Sequence, residues 1–320
     1  MAMPRKVPTA LHTALAGVEA ESLAALADPI SGRLLRPVQH DGAGADEADL
    51  VELVLRVAAI DASVGWLAAA FNSAARDLGE LAPAAAADIW RTNPAALVTS
   101  ANQVGGRLSR QLRLTGRWGP VVAGTFADWF LLPVGGPARP RLCLAPRGAL
   151  DIAAPTGRGG LAAAGISEVA VTELALQDWQ VIGGSMTVSR AATAAAVVGS
   201  AERMWRSHVE RTRARMSGAQ VSDELPEAVA RHVARASSDI DAAKLQVLSS
   251  VDPRCDGTHA VFAQTQAAAR ARDAADRLLG SGRHALQAAD PVTRHWRDVH
   301  EGYRLAMGST PVSADPAAEG

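Results

Sequence analysis

Residues Thr115 to Leu132 read TGRWGPVVAGTFADWFLL. The left half is glycine, one tryptophan and small residues. The right half, from Trp129, is an apolar run of strand formers. A Gly-Arg-Trp-Gly turn beside a wall of small residues leaves room for a flat guest. The Ala-Asp-Trp step that follows marks where a strand begins, with Asp128 placed to fix that beginning by capping a turn.

Around this stretch, from about Ala96 to Val181, glycine and proline are frequent and apolar residues alternate. LSRQLRLTG, DWFLLPV, RPRLCLAP, ALDIAAP and EVAVTELAL read as short strands. So many strands in one segment predict an antiparallel β domain. Upstream, residues 8–27 are rich in alanine and leucine and read as a helix. A Pro- and Gly-containing loop follows. A strong helical pattern then starts at Asp49: Leu50, Leu53, Val54, Val57, Ile60, Val64 and Leu67 recur at threes and fours. Pro83 is placed to open a further helix. Downstream, residues 187–216, 226–250, 258–280 and 291–307 show helical periodicity, with Thr258 as an N-cap and Gly280 as a C-cap. Four such segments joined by short loops predict an up-and-down bundle. The expected class is therefore α+β and mainly α. Residues 1–95 form an N-terminal helical domain, 96–182 a central antiparallel β domain, 183–307 a C-terminal four-helix bundle and 308–320 a disordered tail.

The 320 residues are enough for a large core, and 48% are hydrophobic, which excludes a disordered chain. A formal net charge of −1 gives no electrostatic case for nucleic acid or an anionic membrane as partner. The basic run RMWRSHVERTRAR (Arg203 to Arg215) reads as a solvated helix face with i,i+4 partners. Cys143 and Cys255 make no framework of disulfides and no CxxC, and the histidines show no metal-binding spacing. No metal and a reducing cytoplasmic setting are expected. No uncharged apolar run reaches the roughly 20 residues of a membrane span.

The order of these zones, with four stretches in the right sequence, resembles the acyl-CoA dehydrogenase superfamily, and within it the two-component (group D) flavin-dependent monooxygenases. DASVGW (Asp61 to Trp66) is similar to the helix on the flavin side of the cleft. TGRWGPVVAGTFADWFLL is similar to the family's Gly-Arg-Trp strand followed by its Ala-Asp-Trp strand. GISEVAVTELAL (Gly165 to Leu176) is similar to its glycine turn and following strand. DPVTRHWRDVHEGYRLA (Asp290 to Ala306) is similar to its last bundle helix. The resemblance implies the acyl-CoA dehydrogenase-like fold and a homo-oligomer, dimer or tetramer. It implies reduced FAD or FMN, supplied by a separate flavin reductase, held between the β domain and the bundle. Oxygen activated there would hydroxylate a small aromatic, amine or polyketide-like metabolite of secondary metabolism.

Carried over residue by residue, the resemblance places the flavin near Trp118, Val122, Ala123, Ser63 and Ser167, and near Gly280, Ser281 and Gly282 after the third bundle helix. It lines a substrate pocket with Trp66, Phe126 and Leu305. His300 is the candidate general base, because imidazole titrates near neutral pH, with Asp298 beside it. Arg294, Arg297 and Glu301, spaced at three and four, read as an exposed salt-bridged face, and Arg294 as a partner for Asp298. Each site residue also has a packing reading: Trp118 as a plug, Ser63 as helix packing, the glycines as a helix stop.

Several positions depart from the family pattern in one direction, polar to apolar. Val122 and Ala123 stand where a Ser-Gly pair is usual, and Phe126 where histidine is common. Ala164 and Ile166 stand where hydroxyl residues are frequent, and Leu305 at a common histidine. These replacements imply two alternatives. One is a derived member that has lost flavin and catalyses a non-redox cyclisation, dehydration or rearrangement. The other is a non-catalytic subunit. An acyl-CoA dehydrogenase proper needs a carboxylate base that Glu301 and Asp298 match poorly.

Overall fold

Two aspartates set where the first helices begin. In the computed structural model, which describes residues 27, 29–135, 141–154, 159–184, 189–218, 227–281 and 290–308, helix α1 spans Glu47–Ala58. Its N-cap Asp46 accepts from the Asp49 amide (3.0 Å), while the Asp49 carboxylate accepts from the Asp46 amide (3.2 Å). Helix α2 spans Ala62–Leu81, and its N-cap Asp61 accepts from the Val64 amide at 3.1 Å. The helical pattern that starts at Asp49 is thus cut between Ala58 and Ala62. The apolar spacing runs straight across the break, which is why periodicity alone does not show it. Helix α3, Pro83–Thr92, opens at Pro83 as the sequence predicts. The expected helix over 8–27 lies outside the described residues apart from Ala27, and the tail beyond Gly308 lies wholly outside them.

Among the described residues, eight strands form one sheet: β1 Val98–Ser100, β2 Gly106–Leu108, β3 Arg113–Val121, β4 Trp129–Gly135, β5 Arg141–Pro146, β6 Asp151–Ala153, β7 Ser167–Ala175 and β8 Val181–Gly183. The path β6-β7-β3-β2-β4-β5-β8 is mainly antiparallel. β1 and β2 both lie parallel to β4, end to end along one of its edges, so the sheet is mixed. LSRQLRLTG, read as one strand, is a hairpin: the chain reverses between β2 and β3, where Leu112 donates back to Ser109 (3.1 Å).

Strand alternation sorts the core. Leu131, Leu142 and Leu144 face α2 and α3, packing with Leu78, Ile89 and Trp90. Phe130, Leu132 and Cys143 face the other way, around Trp118 and Val169. Asp128 holds the start of β4 without capping a turn: its carboxylate accepts from the distant Leu97 amide at 2.9 Å, just before β1.

Among the described residues, four helices follow the sheet: α4 Arg190–Gly218, α5 Glu227–Ser250, α6 Gly257–Ser281 and α7 Pro291–Gly308. α4 is the central one and packs against α1, α2, α5, α6 and α7. Its buried stripe is almost all small, with Ala191, Ala192, Ala195, Ala196 and Ala201, so its neighbours approach closely. The cap of α6 is Asp256, not Thr258: the Asp256 carboxylate accepts from the amides of Thr258 (2.9 Å) and His259 (3.3 Å). Gly280 lies within α6 and does not end it. Along the Arg203–Arg215 face, Arg206 pairs with Glu202 and Arg211 with Asp290. No described helix is long and apolar enough to cross a membrane.

Candidate functional site

A cleft opens where α2, β1, the turn after β3 and the start of α4 converge. Its empty volume is about 350 Å3. Trp66, Ala69, Ala70 and Ser73 line one side. Their spacing of three and four puts them on one face of α2. Ser100 and Asn102 come from β1 and the residues after it, Val122 from the turn after β3, and Thr193 from α4. The walls are therefore apolar at the tryptophan, alanines and valine, with four small polar groups at the margins. Most small-molecule sites have this composition.

The Val122–Ala127 turn is held by its backbone. Thr99 Oγ1 donates to the Val122 carbonyl at 2.7 Å. The Ala123 amide donates to the Ala164 carbonyl (3.0 Å), and the Thr125 amide to the Gly165 carbonyl (3.1 Å). Ala123 has φ of 63°, a left-handed conformation that alanine adopts at a cost.

Near this cleft, Trp66 Nε1 and Ser167 Oγ are buried with no hydrogen-bond partner among the described residues. Trp66 is 1% exposed and Ser167 fully buried. An orphaned neutral group costs about 1–3 kcal/mol, so a buried donor left open in a cleft wall calls for an explanation. Ser167 sits directly against Gly124, where a Cβ would stand only 2.0 Å from its hydroxyl.

Beside the cleft, a second cavity of about 270 Å3 shares Thr193 and carries Arg190, Gln264 and Thr265. The sequence reading missed Ser73, Ser100, Asn102, Thr193 and Arg190. They are single residues from separate segments with no motif among them.

The sequence-predicted residues divide. Val122 and Trp66 meet in the cleft. Ala123, Phe126, Leu305, Ala164 and Ile166 belong to the same apolar cluster as these two, Phe126 at its margin. Ser63 is buried in the first turn of α2 and does not line the cleft. Trp118 fills the interior of the β domain, its ring against Gly105, Gly106 and Gly116 and its Nε1 donating to the Pro133 carbonyl at 2.8 Å. Gly280 is in α6, and Ser281 is that helix's last residue. Gly282 lies outside the described residues.

The structure does not bring His300 and Asp298 together. His300 Nε2 lies 2.7 Å from Asp276 Oδ1 on α6, and Trp296 Nε1 donates to the same oxygen at 2.7 Å. The two rings lie tilted at 43° to each other, with centroids 4.3 Å apart. Asp298 turns the other way: Oδ1 accepts from the Leu161 amide at 2.7 Å, and Oδ2 lies 3.7 Å from His295 Nδ1. Arg294 is not its partner. Glu301 is only 4% exposed and pairs with Arg304 at 3.5 Å, so the expected exposed face over Arg294, Arg297 and Glu301 does not form. Burial pushes the Asp61 carboxyl above its ordinary value. The nearby Asp298 charge adds to this, while the Val64 amide and His295 pull the other way.

Residues 191–307 match the acyl-CoA dehydrogenase C-terminal domain family. The chain is 25% identical to a pigment production hydroxylase of Rhodococcus erythropolis, over 91% of this chain and 88% of that one. It is 27% identical to the oxygenase subunit HsaA of a flavin-dependent monooxygenase of Mycobacterium tuberculosis, over 92% and 86%. The crystal structure of 3-HSA hydroxylase from Rhodococcus sp. RHA1 superposes with a TM-score of 0.78 at 22% identity, covering 95% of this chain and 92% of that one. The chain has the acyl-CoA dehydrogenase-like fold, its residues 191–307 match that family's C-terminal domain, and over most of its length it is similar to the oxygenase subunit of a flavin-dependent monooxygenase.

Proposed function

We propose that this protein is the oxygenase component of a two-component flavin monooxygenase that hydroxylates a small aromatic or polyketide-like metabolite. The observation that carries the reading is the cleft between α2, α4 and the Val122–Ala123 turn, in a chain related over nearly its whole length to such oxygenase subunits. The apolar walls at Trp66, Ala69, Ala70 and Val122 suit a flat heteroaromatic ring. Val122 would hold a flavin through van der Waals contact, with Ala123 behind it fixing the turn. Ser73, Ser100, Asn102 and Thr193 would orient the substrate. Reduced flavin, FAD or FMN, supplies the activation of oxygen when bound, and a separate flavin reductase would deliver it. The chain's own part is to hold the partners and exclude water. A homo-oligomer is part of the same reading.

One observation favours a second reading. Val122, Ala123, Ala164 and Ile166 are all buried in the main apolar core and offer no side-chain hydrogen bond to a flavin. A flavin-free catalyst of a non-redox cyclisation, dehydration or rearrangement would suit such a wall. Anaerobic titration with reduced FAD and FMN, followed by calorimetry, separates the two. Micromolar binding, about −8 kcal/mol, supports the monooxygenase. No binding at millimolar flavin retires it and leaves the flavin-free reading.

A further inference from the structure

The last bundle helix reaches the cleft wall through an unbroken line of hydrogen bonds. It begins at Asp298 of α7, whose Oδ1 accepts from the Leu161 amide at 2.7 Å. The Leu161 carbonyl accepts from the Ala164 amide at 3.0 Å. The Ala164 carbonyl accepts from the Ala123 amide, also at 3.0 Å. Val122, the next residue back, forms the cleft wall.

A second contact fixes the start of this line. Gly160 lies against α7 so closely that a Cβ would stand 2.3 Å from the Arg297 carbonyl oxygen and 2.9 Å from the Asp298 nitrogen. Only a residue without a side chain lets the loop sit there. Backbone contact thus brings the loop onto α7, and the Asp298 carboxylate fixes its register. The carboxylate is mostly buried, 16% exposed, and a charged acceptor makes a stronger bond than a neutral one. The other end of the line is strained. Ala123 stays at a φ of 63° while its amide is tied to Ala164. A strained residue persists where its surroundings over-determine it.

We propose that Asp298 is a positioning residue for the cleft: through Leu161 and Ala164 it holds the Val122–Ala123 turn in its ligand-ready conformation. It acts through the loop and touches no reacting atom. The proposal rests on the reading of this turn as the ligand wall, and its first test needs no ligand.

Amide hydrogen exchange is measured on the full chain, on Asp298→Ala and on Asp298→Asn. Val299→Ala, which opens a core position on the same helix, is the control matched for overall stability loss. Asp298→Ala is expected to speed exchange at Leu161, Ala164 and Ala123 by at least tenfold. Val299→Ala should leave these three amides protected relative to the rest of the sheet. Asp298→Asn, whose side-chain oxygen still accepts, should restore most of the protection. Unchanged exchange at Ala123 in Asp298→Ala overturns the proposal. So does equal loss of protection in the Val299→Ala control. Reduced FMN is then titrated into each variant. A tenfold weaker affinity in Asp298→Ala, rescued in Asp298→Asn, is expected. An affinity that Asp298→Ala leaves unchanged overturns the link to binding. If the unsubstituted protein itself binds no flavin, the monooxygenase reading fails, and the exchange result still decides the role of Asp298.

Discussion

Gly302 of α7 lies directly against the indole nitrogen of Trp66: a Cβ at 302 would stand 2.9 Å from Nε1 and 3.3 Å from the ring. The last helix and the cleft-lining tryptophan are therefore packed without slack. Gly302→Ala should push the rigid ring into the cleft. Alanine's better helix propensity offsets about 1 kcal/mol of the resulting strain, which in a packed core is about 1–3 kcal/mol. A net loss of stability of about 1 kcal/mol is expected in urea unfolding, with a changed tryptophan emission. A variant as stable as the parent with the same emission would show that the ring has room to move.

Trp66→Phe separates folding from binding. Trp66 Nε1 has no partner in the free protein, so its removal forfeits no hydrogen bond there. It also removes an orphaned donor, which costs about 1–3 kcal/mol, against a similar loss from the smaller ring. Stability should change little. The smaller ring gives up apolar contact in the cleft, so ligand affinity should fall about fivefold, the worth of about 1 kcal/mol of lost burial. A stability curve alongside a ligand titration checks both halves.

Asp61 should make stability depend on pH. Burial raises its folded pKa above the ordinary 3.8. An acid with a raised folded pKa holds its proton longer folded than unfolded. Stability is then highest below the ordinary value and falls as pH rises through the folded value. Asp61→Asn keeps an N-cap oxygen for Val64 and removes the charge. The variant should gain on the parent as pH rises above the ordinary carboxylate value and show a flatter profile there. Parallel pH profiles for the two proteins would count against the burial argument.

The cysteines should react one at a time. Cys143 is fully buried, and burial pushes its thiol up to about 12. It is inert at pH 8, because the thiolate is the reactive form. Cys255 is partly exposed. An aromatic disulfide reagent should titrate about one thiol per native chain and both after denaturation in urea. Two fast thiols in the native protein would mean that the sheet opens at β5.

Much of the architecture was legible because it rests on period. The alanine and leucine stripes of the bundle, the alternation of Phe130, Leu131 and Leu132, and Pro83 at a helix start each carry their own local signal. Boundaries set by one side chain were not. Asp61 cuts a helical pattern whose apolar spacing never breaks, and Asp256 caps α6 two residues before Thr258. β1 and β8, three residues each, are too short for a period to register. At the site, Trp66 and Val122 were legible through resemblance. Ser73, Ser100, Asn102 and Thr193 were not, since only the fold brings them to one cleft. Trp118 and Val122 show the limit most clearly. They sit in one stretch, yet β3 ends between them, so one ring fills the sheet interior and the other side chain faces the cleft.

The opening stretch also makes the last prediction. Ala123 holds a left-handed φ, a conformation that glycine adopts without steric cost. A side chain there costs about 1–2 kcal/mol, and glycine's extra chain entropy costs about 0.5–1 kcal/mol. Ala123→Gly should therefore stabilise the protein by roughly 0.5–1 kcal/mol, read as a higher urea midpoint at unchanged slope. Val122→Ser restores a hydroxyl to the cleft wall at the cost of some apolar burial. In the double variant the two stability effects should nearly cancel. Its affinity for reduced flavin should rise about fivefold, one added neutral hydrogen bond. A gain of that size would mean that the parent's apolar wall weakens a flavin it still binds. An unchanged or lower affinity would mean that the wall is shaped for another guest, as the flavin-free reading requires.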